Sequence, residues 1–227
     1  MANVHDKHRM RLRERFRANG LDDFQQHQVL ELLLFYAIPR KDTNEIAHML
    51  LEEFGSLAGV MDAPIEELVK VKGIGDGAAT LLKLIPGVCR FYFDDKNTLG
   101  TLLQSTEDIV KFLIPKFVGE TEEKVMLLCL DNRNRVAGCP MICRGDVVSA
   151  NFTPRRVVET AIKYRATNVV LSHNHPMNDA LPSRADLDTT FELYETLQRV
   201  NIRLLDHIIV SGSDAVSIRD SGGFARL

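Results

Sequence analysis

Cysteine is scarce in this 227-residue chain: the four present, at 89, 129, 139 and 143, form no CxxC pair. That excludes a disulfide framework and reads as reduced, mostly structural thiols of a cytoplasmic protein. Positive charge is not in excess either, with a net charge of −3 and a pI near 6.2. A general basic coat for nucleic acid is thereby excluded, so any such contact has to be local. Long apolar runs are missing, since the longest stretches, such as 29–38, are too short to span a bilayer. The N-terminus is charged with no apolar segment behind it, so no secretory signal is expected. No internal repeat appears at solenoid periods.

What is present divides in two. The length allows a sizeable core and two modest domains. Residues 1–96 read as all-helical. Glu31–Ile38 is a helix stopped by Pro39, and Thr43 or Asn44 can cap the next, whose apolar positions Ile46, Ala47, Leu50 and Leu51 keep helical spacing until Gly55. Further helices are expected around 57–61, 65–70 and 78–93. The polar, turn-rich stretch 95–104 marks the boundary, and a second domain over 105–227 alternates strands and helices. Strands are expected at Lys124–Leu130, Arg135–Ala137, Met141–Ser149, Asn168–Leu171, Arg203–Val210 and Ala215–Ile218. A helix should start at Thr153-Pro154, and another at Ser183 with Leu187, Phe191, Tyr194 and Leu197 on one face. The fold class is α/β overall, a small all-α domain followed by an α/β sandwich.

The chemistry concentrates in Ser172-His173-Asn174-His175, followed by Ser183 and Asp186. Residues i and i+2 of a strand share a face, so both imidazoles point the same way. Two nitrogens and one oxygen, with a fourth position open, form the ligand set of a catalytic zinc site. Ser183-x-x-Asp186 has an equally good reading as a helix capping box, and the two are compatible. A zinc reading of Cys139 and Cys143 carries little weight beside this.

The pattern from His173 to Asp186 resembles the JAMM motif of the MPN metalloprotease fold. With Leu171–Pro176 and Leu204–Val210 around it, nearly the whole chain resembles the RadC family of that fold, a helix-hairpin-helix domain preceding an MPN/JAB-like zinc domain. The resemblance implies a zinc metallohydrolase, a JAMM-type peptidase or isopeptidase with one zinc per chain and a peptide or protein substrate, and also a link to DNA repair. It implies a general base just before the first strand, Glu123 with Glu122 as competitor, and the motif serine, Ser183, as donor to the oxyanion. His207 is expected to stand behind the ligands and not among them. Two departures are Met177-Asn178, where the family has Ser-Gly, and Pro154-Arg155-Arg156, where it has Pro-Arg-Glu. They bear on substrate preference more than on metal.

In the helical domain, Val71–Ala78 resembles a helix-hairpin-helix turn. Gly73 and Gly75 would expose backbone N–H groups before a helix start, with Lys72, Lys83 and Lys70 as phosphate partners. Such a hairpin serves equally well as a packing unit. Lys7, Arg9, Arg11, Arg13, Arg15 and Arg17 load the N-terminal arm with cations, which would spread around a helix; an electrostatic arm for DNA and a solvated helix both remain open. An alternative for the whole chain is a non-catalytic nucleic-acid-binding or protein-docking module with a stabilising metal.

Overall fold

The computed structural model describes residues 4–39, 41–96, 99–145, 147, 152–176 and 179–226. The chain divides into two compact units, residues 1–88 and 89–227. Among the described residues no helix is long and apolar enough to cross a membrane.

The first unit holds α1 (Val4–Asn19), α2 (Gln26–Ala37), α3 (Asn44–Phe54), α4 (Leu57–Asp62), α5 (Ile65–Leu68) and the start of α6 (Asp76–Lys96). Leu30 and Leu34 of α2 meet Ile46, Ala47 and Leu50 of α3 in a buried aliphatic core. Helix α2 stops ahead of Pro39, and the carbonyls of the chain that leaves it are held by a side chain. The buried Arg9 guanidinium donates to Pro39 O and Ile38 O at 2.8 and 2.7 Å, and also to Lys41 O, while lying over the Phe35 ring. Thr43 takes the N-cap position of α3 but not the capping bond. Its hydroxyl turns to Glu31 O, and Asp42 Oδ1 accepts from Asn44 N instead. Gly55, at φ 77°, ends α3 in a conformation that favours glycine.

The second unit is a six-stranded sheet, β1 (Lys124–Leu130), β2 (Val136–Gly138), β3 (Met141–Arg144), β4 (Asn168–Asn174), β5 (Arg203–Ser211) and β6 (Asp214–Ser217). Its order is β2-β1-β4-β5-β6, with β3 also pairing to β1. Strand β4 is antiparallel to β1 and parallel to β5, and is buried along its whole length. Such a run, apolar on both faces, is what a central strand covered on both sides requires. On one face Val125, Leu127, Val169 and Leu171 pack with α8 (Pro154–Lys163) and α9 (Arg184–Gln198). On the other, Met126, Leu128, Val170 and Ile208 meet α7 (Thr106–Leu113).

Two expectations need correction. The strand expected over 141–149 ends at Arg144, where Gly145 turns at φ 94°; residues 146 and 148–151 lie outside the described residues. Helix α9 buries Asp186, Thr190, Leu193 and Leu197, not the face through Leu187 and Phe191, which are 40% and 45% exposed. The inward face carries two polar residues at its first turns, so the apolar periodicity points about one residue away from it.

Candidate metal centre

His173 is the sixth residue of β4, and His175 lies just past the strand's end, its backbone N–H bonded to Val210 O at 2.8 Å. Alternation puts both rings on the α9 face, with Nε2 to Nε2 at 3.0 Å. Helix α9 supplies the third group. Ser183 is its N-cap, and the capping is reciprocal: Ser183 N donates to Asp186 Oδ2 at 2.7 Å and Asp186 N donates to Ser183 Oγ at 3.1 Å. Both readings of Ser183 and Asp186 therefore hold at once, because the cap uses Oδ2 and leaves Oδ1 only 3.1 Å from His173 Nε2. One ligand atom from each of His173, His175 and Asp186 falls within 4.8 Å of the others, so the group can hold a metal ion.

Proton positions follow from the hydrogen bonds behind the site. Thr190 Oγ1 donates to Asp186 O at 2.6 Å, a carbonyl that can only accept. The same Oγ1 lies 2.7 Å from His207 Nδ1, which must then be the donor. His207 is fully buried, and burial, followed by the neighbouring His173, pushes its pKa well down, so it carries a single proton. Its Nε2 thus accepts from His173 Nδ1, at 2.8 Å. His175 Nδ1 donates to Asp179 O at 3.1 Å. Each of these histidines thus commits Nδ1 as a donor behind the site, which leaves Nε2 as the atom it can offer a metal. Burial works against the charge of Asp186, but its contacts with His173 and Ser183 outweigh burial and hold its carboxyl well below the usual range. Two ring nitrogens and a carboxylate oxygen this close need a positive charge among them, a proton or a metal ion. The donor set fits a divalent metal of borderline softness.

His207 therefore stands where expected, behind His173. Thr190 escaped the sequence reading, although its position four residues after Asp186 on one helix face was a usable signal. Ser183 Oγ accepts from Asp186 N, which leaves its hydroxyl proton free for another acceptor. Antiparallel register pairs Val125 with His173 and Lys124 backbone with the Asn174 side chain. Glu123 lies one residue ahead of β1, half-buried, and alternation carried back from Val125 would turn it to the His173 face, whereas Glu122 is exposed and lies 3.8 Å from Arg144. Met177 and Asn178, beside the histidines, lie outside the described residues.

The hairpin residues belong to the first unit. Gly73 has φ 98°, a backbone conformation that side-chain-bearing residues rarely adopt, so the turn itself already favours glycine. Gly75 is open and Lys72 is exposed. The Lys83 ammonium donates to Met61 O and Asp62 O at the end of α4, and Lys70 pairs with Glu67. In the N-terminal arm Arg13 lies over Phe35 and Tyr36, and Arg15 over Phe24. Burial pushes the Cys129 and Cys139 thiols up to about 12, as expected of inert thiols.

Residues 103–223 match the family model described as the RadC-like JAB domain, and residues 5–80 match the one described as the UPF0758 N-terminal domain. The chain is also similar to a UPF0758 protein of Fusobacterium nucleatum subsp. nucleatum, at 35% identity over 222 residues, covering 95% of this chain and 96% of that one.

Proposed function

Because the chain belongs to the RadC-like JAB family, with a metal-holding triad in its sheet domain, we propose that it is a zinc-dependent hydrolase of amide or isopeptide bonds. The observation that carries this reading is the pair of histidine Nε2 atoms facing each other at 3.0 Å, with a carboxylate oxygen 3.1 Å from one of them. A structural site would gain from a fourth protein ligand; three ligands leave a position for reacting groups.

Zinc, when bound, supplies Lewis acidity toward a water and the scissile carbonyl. The protein does the rest. Glu123, one residue ahead of β1, takes a proton from the attacking water and returns it to the leaving amine. Ser183, its oxygen already accepting the Asp186 N–H, donates its hydroxyl proton to the carbonyl oxygen as negative charge develops there. His207 and Thr190 keep both ends of the ligand set in place by joining His173 Nδ1 to the Asp186 carbonyl.

Elemental analysis of the wild type beside His175→Ala, after dialysis against a mild chelator, tests the metal. One zinc per chain, absent from the variant, is expected. Hydrolysis of peptide and isopeptide libraries, lost in Glu123→Gln with zinc retained, tests the reaction. No metal in a folded wild type overturns the proposal.

A further inference from the structure

The residue between the two histidines looks idle, because alternation turns it away from the metal face. Asn174 is 3% exposed, yet both ends of its amide are engaged. Oδ1 accepts from Lys124 N at 2.8 Å and Nδ2 donates to Glu122 O at 3.1 Å, across a sequence separation of about fifty residues. Between those two contacts lies Glu123, whose own carbonyl accepts from Gly145 N at 2.9 Å. Three consecutive residues thus have their backbones tied on two sides. The Glu123 carboxylate in the middle has no hydrogen-bond or ion-pair partner among the described residues. A tightly held backbone beneath an unpartnered acidic side chain is how a scaffold presents a reactive group, not how it stabilises itself.

We propose that Asn174 is a positioning residue that clamps the 122–124 segment to the end of β4 and so sets Glu123 beside the metal ligand His175. The proposal rests on Glu123 being the base of the proposed hydrolase. Only an amide of this length both donates and accepts here. Aspartate keeps the contact to Lys124 N and loses the one to Glu122 O; alanine loses both. The clamp ties the base and the metal ligands to one two-residue step of one strand. Rigid placement of that kind is what proton transfer over hydrogen-bonding distance needs.

The test uses the full chain loaded with cobalt(II), whose visible spectrum reports the metal's surroundings without any substrate. The pH midpoint of the cobalt spectrum is compared in wild type, Glu123→Gln, Asn174→Ala, Asn174→Asp and Glu123→Gln/Asn174→Ala. Hydrogen exchange of the Lys124 amide is followed in parallel. The clamp predicts that Glu123→Gln moves the midpoint and that Asn174→Ala moves it in the same direction. Asn174→Asp should move it less, and the double variant no further than Glu123→Gln alone. All variants should bind one cobalt. The Lys124 amide should exchange about tenfold faster in Asn174→Ala, the worth of one net hydrogen bond, while Leu127 and Leu128 stay protected. A midpoint that moves in Glu123→Gln but not in Asn174→Ala overturns the clamp and leaves the hydrolase reading standing. A midpoint unmoved by Glu123→Gln overturns Glu123 as base, and the clamp with it. Loss of cobalt from Asn174→Ala overturns the clamp in favour of a role in holding the ligands themselves.

Discussion

Polar groups meet opposite fates in the two units. In the helical unit most are consumed by the fold: Arg9 holds the chain that leaves α2, Lys83 the end of α4, and the buried Glu31 takes His8 and Asn44, with Arg15 Nε an exception among the described residues. In the sheet unit, the candidate ligand atoms of His173, His175 and Asp186 turn toward one another within 4.8 Å, and lean on each other instead of on the scaffold. Buried polar groups are ordinarily paired, because leaving one unpaired costs about 1–3 kcal/mol. A buried cluster of metal-ligating groups whose free atoms meet only one another marks the place built to meet something from outside. The lesson separates scaffold from site without reference to residue type, since both units are rich in Arg, Glu and His.

The comparison can be broken at several points. The largest effect is expected from Asp186→Ala, which removes a ligand and half of the α9 capping box together. Metal should be lost altogether at micromolar concentrations by elemental analysis, and helix stability should fall by about 1 kcal/mol in denaturant unfolding. Metal retained at wild-type affinity would show that the triad is not the site. Next comes Glu120→Gln, outside the site. Its carboxylate is nearly buried, and burial works against its charge, but Lys124, Arg90 and Arg144 outweigh burial and depress its pKa. A depressed acid stabilises the fold above its unfolded value, and that contribution disappears as pH falls through the folded one. The variant should lose about 3 kcal/mol at neutral pH, with a flatter loss of stability on acidification below about pH 4.5. Equal acid sensitivity of variant and wild type would refute the assignment.

Smaller effects sharpen the contrast. His207→Ala should weaken metal binding about 10–100-fold by leaving His173 Nδ1 without its acceptor; competition with a chromophoric chelator measures it, and unchanged affinity would sink the proton assignment. Arg9→Met should cost the helical unit about 2 kcal/mol, from lost bonds to three carbonyls, with metal affinity unaltered. Lys83→Met should cost about 1 kcal/mol in the same assay. If either instead changed metal content, the two units would not be separable in function.

The ligand triad was legible in the sequence because a two-residue spacing on a strand and a capping signature on a helix are both local patterns. Strand β1 was legible to the residue, since a strand covered on both faces writes itself as an unbroken apolar run. The inward face of α9 was not, and the failure is instructive. Apolar periodicity locates a core, but the buried Asp186 and Thr190 face the histidine cluster, so counting Leu187 and Phe191 turned the helix the wrong way. Asn174 was hidden for a similar reason. Its partners lie about fifty residues upstream and are backbone atoms, which leave no trace in residue type. Arg9 and Arg13 read as free cations for the same cause, since carbonyl acceptors and aromatic faces carry no charge to look for.

The spacing of these parts along the chain has a consequence for assembly during synthesis. All three ligands lie between residues 173 and 186, on one strand and the start of the next helix, whereas the base comes from near residue 123. Closing the longer separation costs about 1 kcal/mol more in chain entropy than the shorter. A chain in which β4 and α9 have met, and β1 has yet to dock, already gathers the candidate metal ligands but lacks the proposed base. On the reading proposed above, metal capture can thus come before catalytic competence, which waits until β1 and Asn174 close the last seam.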